Sequence, residues 1–141
     1  ARAGKRGLLA TGGGALSASM APDHIHILDA APHDQLFAHV SATMHHGGAG
    51  TTAAALRAGK PTTICPFFGD QPFWARRLHN LGVSPPPLDR KRLTAEHVAS
   101  ALQAMDAPAM RHNAAALGAR IRAETGIANA IARLETLASA K

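Results

Sequence analysis

Short apolar runs of strand length alternate with helical stretches through the first eighty or so residues, and the remainder is spaced as helix. Three runs read as strands: Gly7–Thr11, His24–Leu28 and Pro61–Cys65, with a weaker fourth at Ala42–His45. Between them, Pro32 to Val40 begins with proline where a first helical turn tolerates it. Thr51–Ala58 is rich in alanine and stops at Gly59. Asp70–Leu81 places Phe73, Trp74, Arg77, Leu78 and Leu81 at helical spacing and stops at Gly82. The order β-β-α-β-α-β-α predicts an α/β fold, a Rossmann-like parallel sheet with helices on both faces. The segment Val83–Leu88 holds three prolines and is expected to form at most a short edge strand. Further on, Thr94 is placed to cap a helix starting at Ala95, with Val98, Leu102 and Met105 inward. Asp106-Ala107-Pro108 breaks it, a second helix runs from about Ala109 to Glu124, and a third from Ile127 to Leu137 gathers Ile127, Ile131, Leu134 and Leu137 on one face. With no internal repeat or flexible linker, residues 1–141 read as one domain.

Composition narrows the classes. Hydrophobic residues at 46% against 17% charged give a globular balance. The longest apolar runs are too short to span a bilayer, and no signal-peptide pattern follows the basic N-terminus. A single cysteine, Cys65, excludes an intrachain disulfide, fits a cytoplasmic setting and reads as a small buried hydrophobe. The net charge of +6 is dispersed, densest at Arg90-Lys91-Arg92, and five aromatic residues without a tyrosine offer no stacking platform, so nucleic acid is not an expected partner. The nine histidines match no zinc spacing, and no metal is expected.

The chemistry concentrates in His45-His46-Gly47-Gly48-Ala49-Gly50-Thr51-Thr52, between a strand and a helix. Glycines there permit positive φ and a close backbone approach to a ligand. The unpaired amides of the following helix form an anion site, with Thr51 and Thr52 hydroxyls and a His45 ring N–H as further donors. Ligands of open parallel sheets bind beyond the carboxyl ends of the strands, which suggests a diphosphate at this turn. A plain glycine turn capped by threonine is the alternative. On the same rim, Asp70 and Gln71 suit a sugar's vicinal hydroxyls, or Asp70 simply caps the helix beginning near Pro72.

These motifs in this order resemble the donor-binding signature of GT-B-fold glycosyltransferases: Ala31-Pro32-His33-Asp34-Gln35-Leu36-Phe37, then His45 to Thr52, Ala58-Gly59-Lys60-Pro61, and Pro66-Phe67-Phe68-Gly69-Asp70-Gln71. The resemblance is to sterol glucosyltransferases and to bacterial enzymes that glycosylate antibiotics and other natural products, and it covers roughly residues 6 to 90. It implies the C-terminal half of a GT-B fold that lacks its first strand, with the N-terminal acceptor domain and its histidine base absent. It implies that His45 contacts the donor diphosphate, that Gly47, Gly48, Ala49, Gly50 and Thr51 cradle it, and that Asp70 and Gln71 hold the hexose. Thr11, Gly12, Pro32 and His33 should line the nucleoside. Where the plant-type signature has a tryptophan on uracil this chain has Ala30, and where it has a ribose-binding glutamate this chain has Ala53, which leaves both UDP- and dTDP-sugars open.

The implied activity of the full-length protein is hexosyl transfer, with inversion, to a hydroxyl of a sterol, lipid or natural product. No catalytic residue is expected in this chain, which alone should be inactive. The nucleotide sugar is a substrate, and no cofactor is expected. The missing domain is an implied partner, a lipid acceptor allows peripheral membrane contact, and unpaired strand edges allow a homo-oligomer. The rival reading is an NAD-type dinucleotide-binding domain of an oxidoreductase, because Thr11-Gly12-Gly13-Gly14 follows a strand and Asp29 ends the next. Against it, Ala15–Asp23 is too short for a helical crossover and Ser17 stands where the third glycine belongs.

Overall fold

The computed structural model describes residues 2–11 and 21–139. Among the described residues four short strands form: β1 (Gly7–Ala10), β2 (Ile25–Leu28), β3 (Thr43–His45) and β4 (Thr62–Ile64). All pairing is parallel, β1 with β2 and β3 with β4, as the alternation with helices requires. One point departs from the expected single sheet. The described strands make two separate pairs, and β1 and β3 are not hydrogen-bonded to each other. Leu8 and Leu9 in β1, on opposite faces by strand alternation, are 48% and 39% exposed.

The helices are α1 (His33–Leu36), α2 (Ala49–Arg57), α3 (Gln71–Asn80), α4 (Ala95–Ala104), α5 (Pro108–Arg122) and α6 (Gly126–Ser139). The helix expected from Pro32 to Val40 is one α-turn followed by a 3₁₀ turn at Phe37–His39. So short a segment cannot repay helix nucleation by propensity, and burial of Phe37 fixes it instead. Helix α2 begins two residues before Thr51, because Gly48 serves as its N-cap and Gly50 falls inside the first turn. Thr94 caps α4 as its residue type predicts, accepting from the His97 amide at 3.2 Å.

The main core joins Leu56 of α2, Ile64 of β4, Ala75 and Leu78 of α3, Val83 in the segment after α3, and Ala114 of α5, with Trp74, Leu117 and Ile121 packed at its edge. Helices α2 and α5 approach closely through glycines: a methyl group on Gly118 would lie 2.6 Å from Gly59 Cα and 2.7 Å from the Leu56 carbonyl oxygen. The proline-rich segment after α3 is not a strand, yet it covers one edge of β4. The Thr62 amide donates to Val83 O at 3.1 Å and the Leu88 amide to Ile64 O at 2.9 Å. Cys65, Leu88 and Ala101 form a second apolar cluster, in keeping with the small-hydrophobe reading of Cys65; burial pushes its thiol pKa up.

The stripe anticipated on α6 exists but has no cover. Ile127, Ile131, Leu134 and Leu137 are 51–81% exposed, and no described residue of α6 is buried. Among the described residues no helix is long and apolar enough to cross a membrane.

Candidate donor-binding site

Strands β3 and β4 run parallel, so their carboxyl ends share one rim. The turn after β3 and the loop after β4 therefore stand side by side. In the first, Gly47 has φ +95° and a Cβ there would lie 2.7 Å from Ile64 Cγ2. This position needs glycine for both conformation and space. At Gly48 a Cβ would meet the far end of the His46 ring at 2.6 Å, and that exposed side chain can give way.

No side chain caps α2. Its first backbone bond is donated by the Thr52 amide to Gly48 O at 2.9 Å, which leaves the amides of Ala49, Gly50 and Thr51 without a helical acceptor. Ala49 and Gly50 are exposed and Thr51 half-buried, so these donors face outward at the positive end of a nine-residue helix. Thr52 is different. It is buried, and its hydroxyl has no hydrogen-bond partner, so it is not available as an anion donor on the rim.

His45 is tied into the protein at both ring nitrogens. The Gly47 amide donates to Nδ1 at 3.0 Å, and Nε2 lies 3.0 Å from Thr62 Oγ1. An amide only donates, so Nδ1 carries no proton; the neutral ring holds its proton on Nε2 and donates to Thr62. Thr43 Oγ1 donates to the same Thr62 oxygen at 2.7 Å. Burial lowers the His45 pKa from 6.5 to about 4, with His46 and His33 adding repulsion. The ring N–H expected to meet a phosphate is thus engaged inside the sheet. Sequence offered one signal: threonines at 43 and 62, buried in strands, require partners, and alternation puts Thr43 and His45 on the same face.

In the second segment, Asp70 precedes α3 but makes no capping bond; its Oδ2 accepts from the Trp74 indole N–H at 2.9 Å. The simple capping alternative for Asp70 is therefore not realised, and its carboxylate is exposed on the rim. Gln71 is buried, and its Oε1 accepts from the Phe67 and Phe68 amides at 2.7 and 3.1 Å. This clamp fixes the Phe67–Gly69 loop. A shallow cleft of about 320 Å³ lies between the segments, lined by His46, Phe67, Phe68 and Gln71. His46, Phe67 and Phe68 belong to the two motifs read from the sequence, but that reading gives them no role toward a ligand. The Arg90 guanidinium stands 5.0 Å over the Phe67 ring.

The nucleoside side is less concentrated. Thr11 directly follows β1, buried, its amide donating to Leu28 O at 3.1 Å. Gly12 lies outside the described residues. Pro32 and His33 are exposed at the start of α1, where the His33 ring stacks on Phe37 at 4.8 Å.

The chain is similar to known glycosyltransferases. The sterol 3-beta-glucosyltransferase UGT80A2 of Arabidopsis thaliana is 42% identical over 99% of this chain, and the sterol 3-beta-glucosyltransferase of Aspergillus fumigatus is 51% identical over 78% of it. The chain spans 22% and 8% of those proteins' lengths, respectively. Among solved structures, the glycosyltransferase of kitacinnamycin superposes over 92% of this chain and 34% of its own at a TM-score of 0.82 and 23% identity, a likeness of fold. The glycosyltransferase VinC, solved in complex with dTDP, superposes over 72% of this chain and 26% of its own at a TM-score of 0.67 and 27% identity. The family profile described as erythromycin biosynthesis protein CIII-like, C-terminal domain, matches residues 12–137. The chain, an α/β domain with a glycine turn and a run of open helix amides on its rim, belongs to that family of C-terminal domains.

Proposed function

We propose that this domain holds the nucleotide-sugar donor of a glycosyltransferase that transfers a hexosyl group to a hydroxyl of an apolar acceptor. The observation that carries this reading is the set of outward amides at Ala49, Gly50 and Thr51, at the carboxyl end of β3 and beside the Asp70–Gln71 loop. The sterol glucosyltransferase relatives and the dTDP complex of VinC support it. In this reading Gly47 to Thr51 cradle the diphosphate, Asp70 and Gln71 meet the hexose, and Thr11, Gly12, Pro32 and His33 line the nucleoside of a UDP- or dTDP-sugar.

The reaction breaks the bond between the anomeric carbon and the diphosphate oxygen while the acceptor oxygen attacks. Negative charge grows on the departing diphosphate, and fixed amides aimed at it stabilise that charge without reorganising. The helix dipole alone contributes about 0.3–2 kcal/mol. The acceptor's proton goes to a base on a further domain of the full-length protein, which also seats the acceptor; no residue of this site is assigned that role. Calorimetric titration of the chain with UDP, dTDP, ADP and NAD tests the reading. UDP or dTDP should bind most tightly. Tighter binding of NAD than of either pyrimidine diphosphate would restore the oxidoreductase alternative.

A further inference from the structure

We propose that Phe67 and Phe68 form the donor-side wall of the acceptor site: two fixed, exposed rings beside the hexose position, against which the apolar body of the acceptor packs. The claim rests on the donor-site reading, because the place of the sugar is what brings an acceptor to these rings.

Phe67 and Phe68 are 52% and 75% exposed, yet the loop that carries them is held. Gln71 Oε1 accepts from both of their amides, and the Arg90 guanidinium stands over the Phe67 ring. Apolar rings fixed in water bring no hydrophobic stabilisation until something covers them, so such a surface marks a contact. Among its described lining residues the cleft has no carboxylate, lysine or arginine. It suits a neutral apolar body rather than an ion.

Position selects the occupant. In the donor-site reading the diphosphate lies on the amides that open α2, after β3, and the hexose lies at Asp70 and Gln71, after β4. The diphosphate oxygen departs towards α2, so the acceptor oxygen reaches the anomeric carbon from the opposite side. The Val83–Leu88 segment covers the edge of β4 away from β3, and Arg90, two residues beyond it, stands over Phe67. Phe67 therefore lies on the side of the loop remote from the departing diphosphate, with Phe68 next to it. The further domain closes on the acceptor from the other side, and the two rings supply the contact made by this one.

The test titrates the isotopically labelled, UDP-saturated chain with hydrocortisone, a neutral and water-soluble steroid alcohol, and records its amide spectrum. Shifts should fall on Phe67, Phe68 and Gly69 and leave Ala49, Gly50 and Thr51 at their UDP-bound positions. Phe68→Ala should weaken the steroid about tenfold, the scale of one well-covered ring, and Phe68→Leu, which keeps most of the apolar area, by no more than about threefold. Phe68 is too exposed for either change to disturb the core. Phe73→Ala, which removes a ring 55% exposed but outside the cleft, should alter neither ligand. In the full-length protein Phe68→Ala should raise KM for a sterol acceptor and leave KM for the nucleotide sugar unchanged. Absence of steroid shifts at Phe67 to Gly69, or steroid binding indifferent to Phe68→Ala, would overturn the proposal. So would a Phe68→Ala chain that loses UDP-hexose affinity as much as steroid affinity, because the ring would then stack on the sugar. Steroid binding at this loop in a parent chain that ignores UDP and dTDP would instead sink the donor-site reading, and with it the acceptor role of rings that still hold an apolar body.

Discussion

Gly47→Ala should destabilise the domain by about 2–5 kcal/mol and remove its nucleotide binding. Two costs combine. A residue with a Cβ placed at φ +95° pays about 1–2 kcal/mol for the left-handed conformation. The new methyl would also stand 2.7 Å from Ile64 Cγ2, and Ile64 is fully buried in the main core, so it has nowhere to move; overpacking of this kind costs about 1–3 kcal/mol. A domain of ordinary stability, about 5–15 kcal/mol, loses a large fraction of it. The turn can relieve the clash only by changing its path, which redirects the amides of Ala49, Gly50 and Thr51. Urea denaturation with a UDP titration on the same samples measures both effects. Gly50→Ala is the control for stability, because a Cβ there meets nothing within 4 Å and lies within a helix. It should leave stability unchanged or raise it by up to about 1 kcal/mol. Equal denaturation midpoints for the parent and Gly47→Ala would mean that the turn is not held as described.

Acid should destabilise the fold in a window set by His45. Its folded pKa is about 4 against 6.5 for the unconstrained ring, so between these values the unfolded chain binds a proton that the folded chain refuses. Stability due to this residue is therefore constant above about pH 6.5, falls as pH drops towards 4, and is flat again below. Its full size is about 3 kcal/mol at one pKa unit per 1.36 kcal/mol, an upper figure because His45 retains some solvent contact. The structural cost is specific: protonation places a hydrogen on Nδ1, facing the Gly47 amide that now donates to it. Chemical denaturation at a series of pH values, for the parent and for His45→Asn, separates this from other titrations. The parent should lose more stability than the variant between pH 6.5 and 4. Asp106, whose carboxyl is held below the usual range chiefly by its hydrogen bond from Lys5, contributes only at the lower end of the scale, and to both proteins alike. Parallel curves would contradict the assignment of a neutral, buried His45.

Local signals carried most of the element assignment. Gly59 and Gly82 end α2 and α3 with φ near +70°, as the stop positions require, and Thr94 caps α4. The strands lie within the four apolar runs because alternation and length are properties of a few consecutive residues. What was not legible depends on register. Alternation alone sets Thr43 and His45 on one face, but that Thr62 stands across from them, where its hydroxyl meets the His45 ring, follows only from the register of β3 and β4. The same holds for Gln71, whose place at the start of α3 follows from helix periodicity but whose clamp on two amides depends on the loop path through Gly69. The break between the two strand pairs also lay beyond local pattern, because spacing along the chain records which segments are strands and not which are neighbours.

The central claim is that a diphosphate sits on the amides opening α2. The most direct measurement is the backbone amide spectrum of the isotopically labelled chain, recorded while UDP or dTDP is added. The largest shifts should fall on Ala49, Gly50 and Thr51, with smaller ones at Gly47 and in the Phe67–Gln71 loop. Largest shifts on the α4–α5 side of the domain, with those three amides unmoved, would contradict it.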